Sequence, residues 1–530
     1  MDMNNTDLND SEIIDSVIIE NETEKEETKT LSMSKVKYGS NGAKEPLRVL
    51  LVATEVNPYS KTGGLGDVAG SLPKALRDRD VDIRVVLPKY KTIPEELITD
   101  AKLLSTFTVH LSWRAQEAKI YMLDEYGDGA SVYFIENDFY FARDSYYGYG
   151  DDFERFAFFS KATVEMLSHV GFQADILHFN DWHTGLGPTY LRDVYRGFTY
   201  YSKIKSLFTI HNLHYQGVFG REILWNVGLN DGYFTGGDLE FFGNISYLKA
   251  GILHADAVST VSETYAAEIQ TPSYGYGMDG LLRKRGMFEG NLYGITNGID
   301  TESNNPETDP RIYVNFNADS LDKKKENKNK LQEELGLPVC DAPIISMVSR
   351  LVEQKGLDIL SLVMEELMSM DIQIVVLGTG DGRYESMFKH YAYRFPDKVS
   401  ANIMFDATRA QRIYAASDMF LMPSVYEPCG LGQLFAMRYG TIPIVRKTGG
   451  LADTVFHFNW DKETGNGFAF EDYVASALMW AIKEAVHVYN HPEKWEKIIR
   501  NAIGCDFSWH KAADQYIDVY NKIAGRKTDD

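Results

Sequence analysis

"LRVLLVATEVNPYSKTGGLGDVAGSLPKALRDRDVDIRVVLPKY", residues 47–90, decides the fold. Its first nine residues are apolar and branched enough for a buried strand. "GDVAGSLPKALRDR" follows with helical spacing, and "DIRVVLPKY" is a second strand. Strand, helix, strand predicts two parallel strands joined by a crossover. Between the first strand and the helix stand Lys61, Gly63 and Gly64, and Gly66 and Asp67 open the helix. Glycines let the backbone approach a ligand, and a helix start directs N–H groups at an anion. Lys61 adds a full positive charge. The turn lacks the spacing of GxxxxGKS/T and of GxGxxG, so alone it reads equally as a plain turn with a solvated lysine.

The alternation continues outward. "SVYFIEN", "DILHFNDW", "SLFTIHN" and "AVSTVS" are short apolar strands, separated by helical stretches such as "FERFAFFSKATVEMLSHV". This is the pattern of an α/β fold with a parallel sheet covered on both faces. "GITNGIDTESNNPETDP" interrupts it. "DKKKENKNKLQEELGLP" comes next, and its basic run, residues 323–330, reads as a solvated helix face. The alternation then restarts with "APIISMVSR", "IQIVVLGTG", "ANIMF", "MFLMPS" and "TIPIVRK". Two doubly wound Rossmann-like domains are expected, spanning 45–296 and 297–510. A final helix in 511–530 is expected to return to the first. A ligand belongs in the cleft at the C-terminal ends of the strands.

The chain has 530 residues, which suits two or three domains. A formal charge of −22 and a pI near 5.0 argue against nucleic acid or an anionic membrane as partner. Residues 1–27 hold ten acidic groups against Lys25 alone, and 1–44 is expected to be a disordered acidic tail. Cys340, Cys429 and Cys505 are scattered, without a CxxC, which suits a reducing compartment. No apolar run reaches about 18 residues, and the acidic start is unlike a signal or transit peptide. A cytoplasmic protein is the expectation.

The unusual residues collect just past the strands. "NDWH" and "HNLHYQG" place Asp181, His183 and His211 after neighbouring strands. "PIISMVSR" ends at Arg350, with Lys355 five residues on. Arg can hold two oxygens and Lys supplies a point charge, so the pair suits a diphosphate. "LMPSVYEPCGLGQL" sets Glu427 past another strand, with Gly430 and Gly432 before a helical run. "RKTGGLADT" repeats the opening motif with Lys447, Gly449 and Gly450. Asp78, Asp80 and Asp82 form DxD pairs, but they precede a strand and fall on the wrong edge of the sheet. No metal, no other cofactor and no Ser-His-Asp elbow is expected.

In order, "KTGGLGDVAGSLPKAL", "NDWHTGL", "FTIHNLHYQG", "YGYGMDGLL", "NGID", "SRLVEQKG", "GTGDGRYE", "PSVYEPCGLGQL" and "RKTGGLADTV" resemble the bacterial glycogen synthase and plant starch synthase family. The match runs from about residue 47 to 510. The resemblance implies a retaining glycosyltransferase of the GT-B type, with a central cleft between its two domains. It implies glucose transfer from ADP-glucose to the non-reducing end of an α-1,4-glucan acceptor. UDP-glucose is the alternative donor, and a non-catalytic glucan-binding relative is the alternative of another class. Intact Lys61, His211, Arg350, Lys355 and Glu427 argue against the latter.

Carried over by position, the resemblance implies catalytic roles for Glu427, Arg350, Lys355, His211 and Asp181. It implies substrate contacts for Lys61, Gly63, Gly64, Asp67, Tyr149, Asn297, Cys429, Gly430, Leu431, Thr448 and Gly449. Phe405 stands where the family usually carries a tyrosine and is expected to stack on the nucleobase. Fixed cations at the diphosphate would stabilise its growing charge in the transition state. Front-face attack and double displacement both stay open. Val425, Gly432 and the segment "ESNNPETDP" depart from the family pattern: a base, a Thr or Ser, and an aromatic are common there.

Overall fold

The computed structural model describes residues 45–124 and 130–526. The acidic segment 1–44, expected to be disordered, lies outside the described residues. The strand–helix–strand unit of residues 47–90 is the centre of the first sheet. Strand β1 (Arg48–Val52) pairs in parallel with β2 (Asp82–Pro88) and with β6 (Ile176–Asn180). The crossover helix Gly64–Arg77 buries Leu65, Val68, Leu72 and Leu76. Further strands are β3 (Lys102–Leu111), β4 (Arg114–Leu123), β5 (Val132–Glu136), β7 (Lys205–Ile210), β11 (Ala257–Thr260) and β12 (Leu292–Gly294). Among the described residues the sheet order is β12-β11-β7-β6-β1-β2-β5-β4-β3. A small sheet joins β8 (Val218–Phe219), β10 (Asn244–Ser246) and β9 (Glu240–Phe241) in that order.

This sheet is mixed rather than purely parallel. Strand β4 runs antiparallel to β3 and β5. In β3, Phe107, Val109 and Leu111 are buried while Thr106, Thr108 and His110 are exposed. A strand wetted on one face has polar residues at every second position, so it does not read as an apolar run.

The second sheet is wholly parallel. It holds β13 (Ile344–Val348), β14 (Gln373–Leu377), β15 (Val399–Asn402), β16 (Met419–Met422), β17 (Ile442–Arg446) and β18 (Phe468–Phe470). Their order is β15-β14-β13-β16-β17-β18, a doubly wound arrangement. The α/β fold class is thus as expected. The order reverses between β1 and β6 in the first sheet and between β13 and β16 in the second. Ligands bind in the crevice at such switch points.

The chain passes between the sheets at residues 298–299 and again at 507–508. The two passes touch, with the Ile299 N–H donating to the Phe507 carbonyl at 2.8 Å. Gly298 fits there because a Cβ would lie 2.7 Å from the Trp509 nitrogen. The helix Trp509–Ala524 then packs against the helix Gly64–Arg77 and β7. Its Tyr520 hydroxyl meets His178 Nδ1 at 2.8 Å, and Asp514 pairs with Arg79.

The basic run is not a uniformly solvated face. In the helix Leu321–Leu335, Lys323 and Lys325 are exposed, but Lys324 and Lys328 are buried. Four-residue spacing puts both on the inner side. Lys324 Nζ donates to the Ala415 and Tyr439 carbonyls and to Thr441 Oγ1, each at 2.9 Å. Lys328 Nζ pairs with Asp418 at 2.8 Å.

Candidate active site

Each switch point is flanked by two of the predicted loops. Lys61 follows β1 and Asp181 follows β6; Arg350 follows β13 and Glu427 follows β16. These loops converge on a cavity of about 650 Å³. Asp67, Asp181, His211, Asn297, Arg350, Lys355 and Glu427 line it, with Gly63, Gly64, Cys429, Gly430 and Leu431. A second cavity of about 400 Å³ adjoins it, lined by Lys61, Phe405, Gly378 and Thr379. Arg350, Asp67 and Leu431 belong to both. Asp78, Asp80 and Asp82 sit at the other end of the first sheet, where the chain enters β2.

On the second-sheet side, Lys355 Nζ bonds Glu427 Oε2 at 2.6 Å, and Ser424 Oγ donates to the same oxygen at 3.0 Å. Glu427 Oε1 accepts no hydrogen bond from the described residues, so one carboxylate oxygen is left for a ligand. Arg350 is exposed in the cleft and reaches Tyr215 Oη at 3.3 Å. Cys429 is buried, and desolvation pushes its thiol up to about 12, so it stays protonated. The buried Asn297 amide oxygen has no partner among the described residues. The carbonyl of Val425, where a base is common in the family, accepts from Arg446 Nη1 at 2.5 Å.

On the first-sheet side, Asp181 holds φ = 58°, a region uncommon for a non-glycine residue. Its carboxylate accepts the His211 N–H at 2.8 Å. Desolvation pushes Asp181 up to about 7, against the pull of the His211 and Asn212 backbone N–H groups. Burial pushes the His211 imidazole down to about 3, so the ring is neutral. Its Nε2 lies 2.9 Å from Asn180 Oδ1. The Asn180 amide nitrogen already donates to the Val52 and His178 carbonyls. Asn180 Oδ1 is therefore an acceptor, His211 Nε2 carries the proton, and Nδ1 is left as an acceptor. Lys61 Nζ pairs with Asp67 Oδ1 at 2.7 Å; burial raises Asp67, and Lys61 opposes that shift.

Four placements correct the sequence reading. Tyr149 does not line either cavity: its ring packs beside Arg143 and Arg155, and its hydroxyl accepts the Ser145 N–H at 3.0 Å. Tyr147 lines the larger cavity instead, stacked on His183. The Gly63 N–H is not open to a ligand, because Glu55 Oε2 accepts it at 2.9 Å. Thr448 and Gly449 lie behind the site. Thr448 Oγ1 and the Gly449 N–H both donate to Glu268 Oε1, at 2.8 and 3.1 Å. The second KTGGL motif is a support, its Gly450 N–H donating to the Glu427 and Pro428 carbonyls. Lys447 pairs with Glu471 at 3.0 Å, outside the cavities.

Glu55 was not singled out from the sequence. It is 5% exposed and accepts from the Thr62 N–H at 2.5 Å, Thr62 Oγ1 at 2.7 Å and Tyr147 Oη at 2.8 Å, besides Gly63. A carboxylate closing an apolar strand was the available signal.

The family described as starch synthase catalytic domain matches residues 48–284, and the family glycosyl transferases group 1 matches 327–502. A glycogen synthase of Clostridium novyi is 50% identical over 480 residues, covering 90% of this chain and 99% of that protein. A glycogen synthase of Clostridioides difficile is 50% identical over 483 residues, covering 90% and 100%. The catalytic domain of starch synthase IV from Arabidopsis thaliana, solved with ADP and acarbose, superposes with a TM-score of 0.84 at 34% identity. That superposition covers 91% of this chain and 100% of that one.

Proposed function

The chain belongs to the family of bacterial glycogen synthases and plant starch synthases, and from that premise we propose how its cleft works. It is a retaining hexosyltransferase that moves glucose from ADP-glucose to the non-reducing end of an α-1,4-glucan. The observation that carries this reading is the pair of adjoining cavities with Arg350 in both walls. One compartment offers an aromatic ring, Phe405, for a base. The other offers cations and carboxylates for a sugar diphosphate.

Arg350 and Lys355 stabilise the diphosphate as it leaves, since its charge grows in the transition state. Glu427, held by Lys355, turns its free oxygen to the glucose hydroxyls. Neutral His211 offers Nδ1 as a hydrogen-bond acceptor, and Asn297 offers an unpaired amide. Lys61 is held by Asp67 at the phosphate side. The three free cysteines, Cys340, Cys429 and Cys505, support a reducing compartment.

The test is incorporation. Purified protein is incubated with glycogen and labelled ADP-glucose or UDP-glucose. Label should enter the glucan faster from ADP-glucose. No incorporation from either donor would overturn the reading.

A further inference from the structure

Tyr414 stands where the two cavities meet and lines both. It lies on the helix Ala407–Ala416, which begins just past Phe405. The residue is 6% exposed, and its ring packs against Phe420 and Phe435, with centroids 5.2 and 5.8 Å away. No described residue hydrogen-bonds its hydroxyl, although its backbone carbonyl is taken by Thr441. The hydroxyl oxygen is not sealed in the packed interior; it opens to the cavities that Tyr414 lines, and a donor without a protein partner there is available to a ligand.

Gly432 sharpens the point. A Cβ at 432 would lie 2.9 Å from the Phe420 ring and 3.6 Å from the Tyr414 hydroxyl oxygen. The space a side chain at 432 would need is therefore taken by this aromatic pair. Burial and the nearby Asp67 carboxylate both push the phenol upward. It stays protonated, and a protonated phenol donates best to an anion.

We propose that the Tyr414 hydroxyl donates a hydrogen bond to the ribose-linked phosphate of the nucleotide-sugar donor. This rests on the donor reading above. The position follows from the junction: the Phe405 compartment takes the nucleoside, the Arg350 and Lys355 compartment takes the far phosphate and sugar, and Tyr414 lies between.

The test measures the affinities of ADP, AMP and adenosine by calorimetry, for the wild type and Tyr414→Phe. The variant keeps the ring and should keep its melting temperature. ADP and AMP should bind about tenfold more weakly, the worth of one hydrogen bond to a charged group, and adenosine should be unaffected. Unchanged ADP affinity would overturn the proposal, and so would an equal loss with adenosine, which would move the contact to the ribose. Should Tyr414→Phe not fold, a fluorinated tyrosine at 414 decides, being a stronger hydrogen-bond donor of nearly the same shape. It should tighten ADP, and unchanged binding would overturn the role. A wild type that binds no ADP at all would sink the donor reading and this contact with it, whereas equal binding by wild type and variant would sink only the contact.

Discussion

Glu55 lies under the glycine turn, its Oε2 holding the Gly63 N–H at 2.9 Å while its Oε1 holds Tyr147 Oη at 2.8 Å. One side chain thus ties together two loops of the cavity wall. Glu55→Ala removes four acceptor contacts and should lower kcat/KM about a hundredfold through misplaced loops. Glu55→Gln should lose about tenfold or less. Its carbonyl can take both N–H groups, and its amide can donate to the two hydroxyls, which rotate to accept. Steady-state kinetics on both variants decide. Equal losses would mean that Glu55 acts through its charge rather than by holding the loops.

Arg350 and Lys355 should separate when turnover and stability are read together. On the proposed mechanism each stabilises the leaving diphosphate, so each alanine variant should lose about a hundredfold in kcat, roughly 3 kcal/mol. Lys355→Ala also leaves the buried Glu427 carboxylate without its cation, which costs about 3 kcal/mol of stability. Arg350 is exposed, and among the described residues its side chain hydrogen-bonds only Tyr215 Oη, so Arg350→Ala should melt with the wild type. Near-wild-type turnover in both variants would remove them from the mechanism.

The sequence carried the fold wherever strands are buried on both faces, because such strands read as apolar runs. It carried much of the site because a parallel strand leads its next loop to the ligand side. Lys61, Asp181, Arg350 and Glu427 each follow a strand that flanks a switch point. What it could not carry was side-chain direction within loops. In "YYGYG", Tyr147 and Tyr149 have the same chemistry. Gly148, at φ = 94°, reverses the chain between them, so one faces the cavity and the other the Arg143 and Arg155 side chains. Nor can letters tell KTGGL at 61–65 from KTGGL at 447–451. Gly450 in the second copy sits so close beneath Cys429 that a Cβ would meet its carbonyl oxygen at 2.3 Å.

Asp181 makes stability depend on pH near neutrality. Its folded value of about 7 stands above the ordinary 3.8 because burial disfavours the charge. The stability linked to its proton is full below about 4 and is lost as pH rises towards 7. Above 7 the carboxylate is charged while partly shielded from water at the cavity wall, which costs stability. Asp181→Asn should therefore raise the melting temperature at pH 8 and much less at pH 5, while turnover falls. A gain that is the same at both pH values would contradict the burial of this charge.

Phe405 should set the choice of base. It directly precedes Asp406, whose side chain caps the helix Ala407–Ala416 by accepting the Arg409 N–H at 2.9 Å. The cap fixes the chain at the cavity edge. Phe405 is 89% exposed there, so it is not a core residue, and its ring is open to a partner. Base–aromatic stacking is worth roughly 1–3 kcal/mol, and a purine presents a larger face than a pyrimidine. The phenol that the family usually carries here would add a polar contact but little of that face. ADP-glucose should therefore exceed UDP-glucose in kcat/KM for the wild type, and Phe405→Ala should narrow the gap while leaving the melting temperature unchanged. A donor ratio that survives the substitution would show that the base is chosen elsewhere in the smaller cavity.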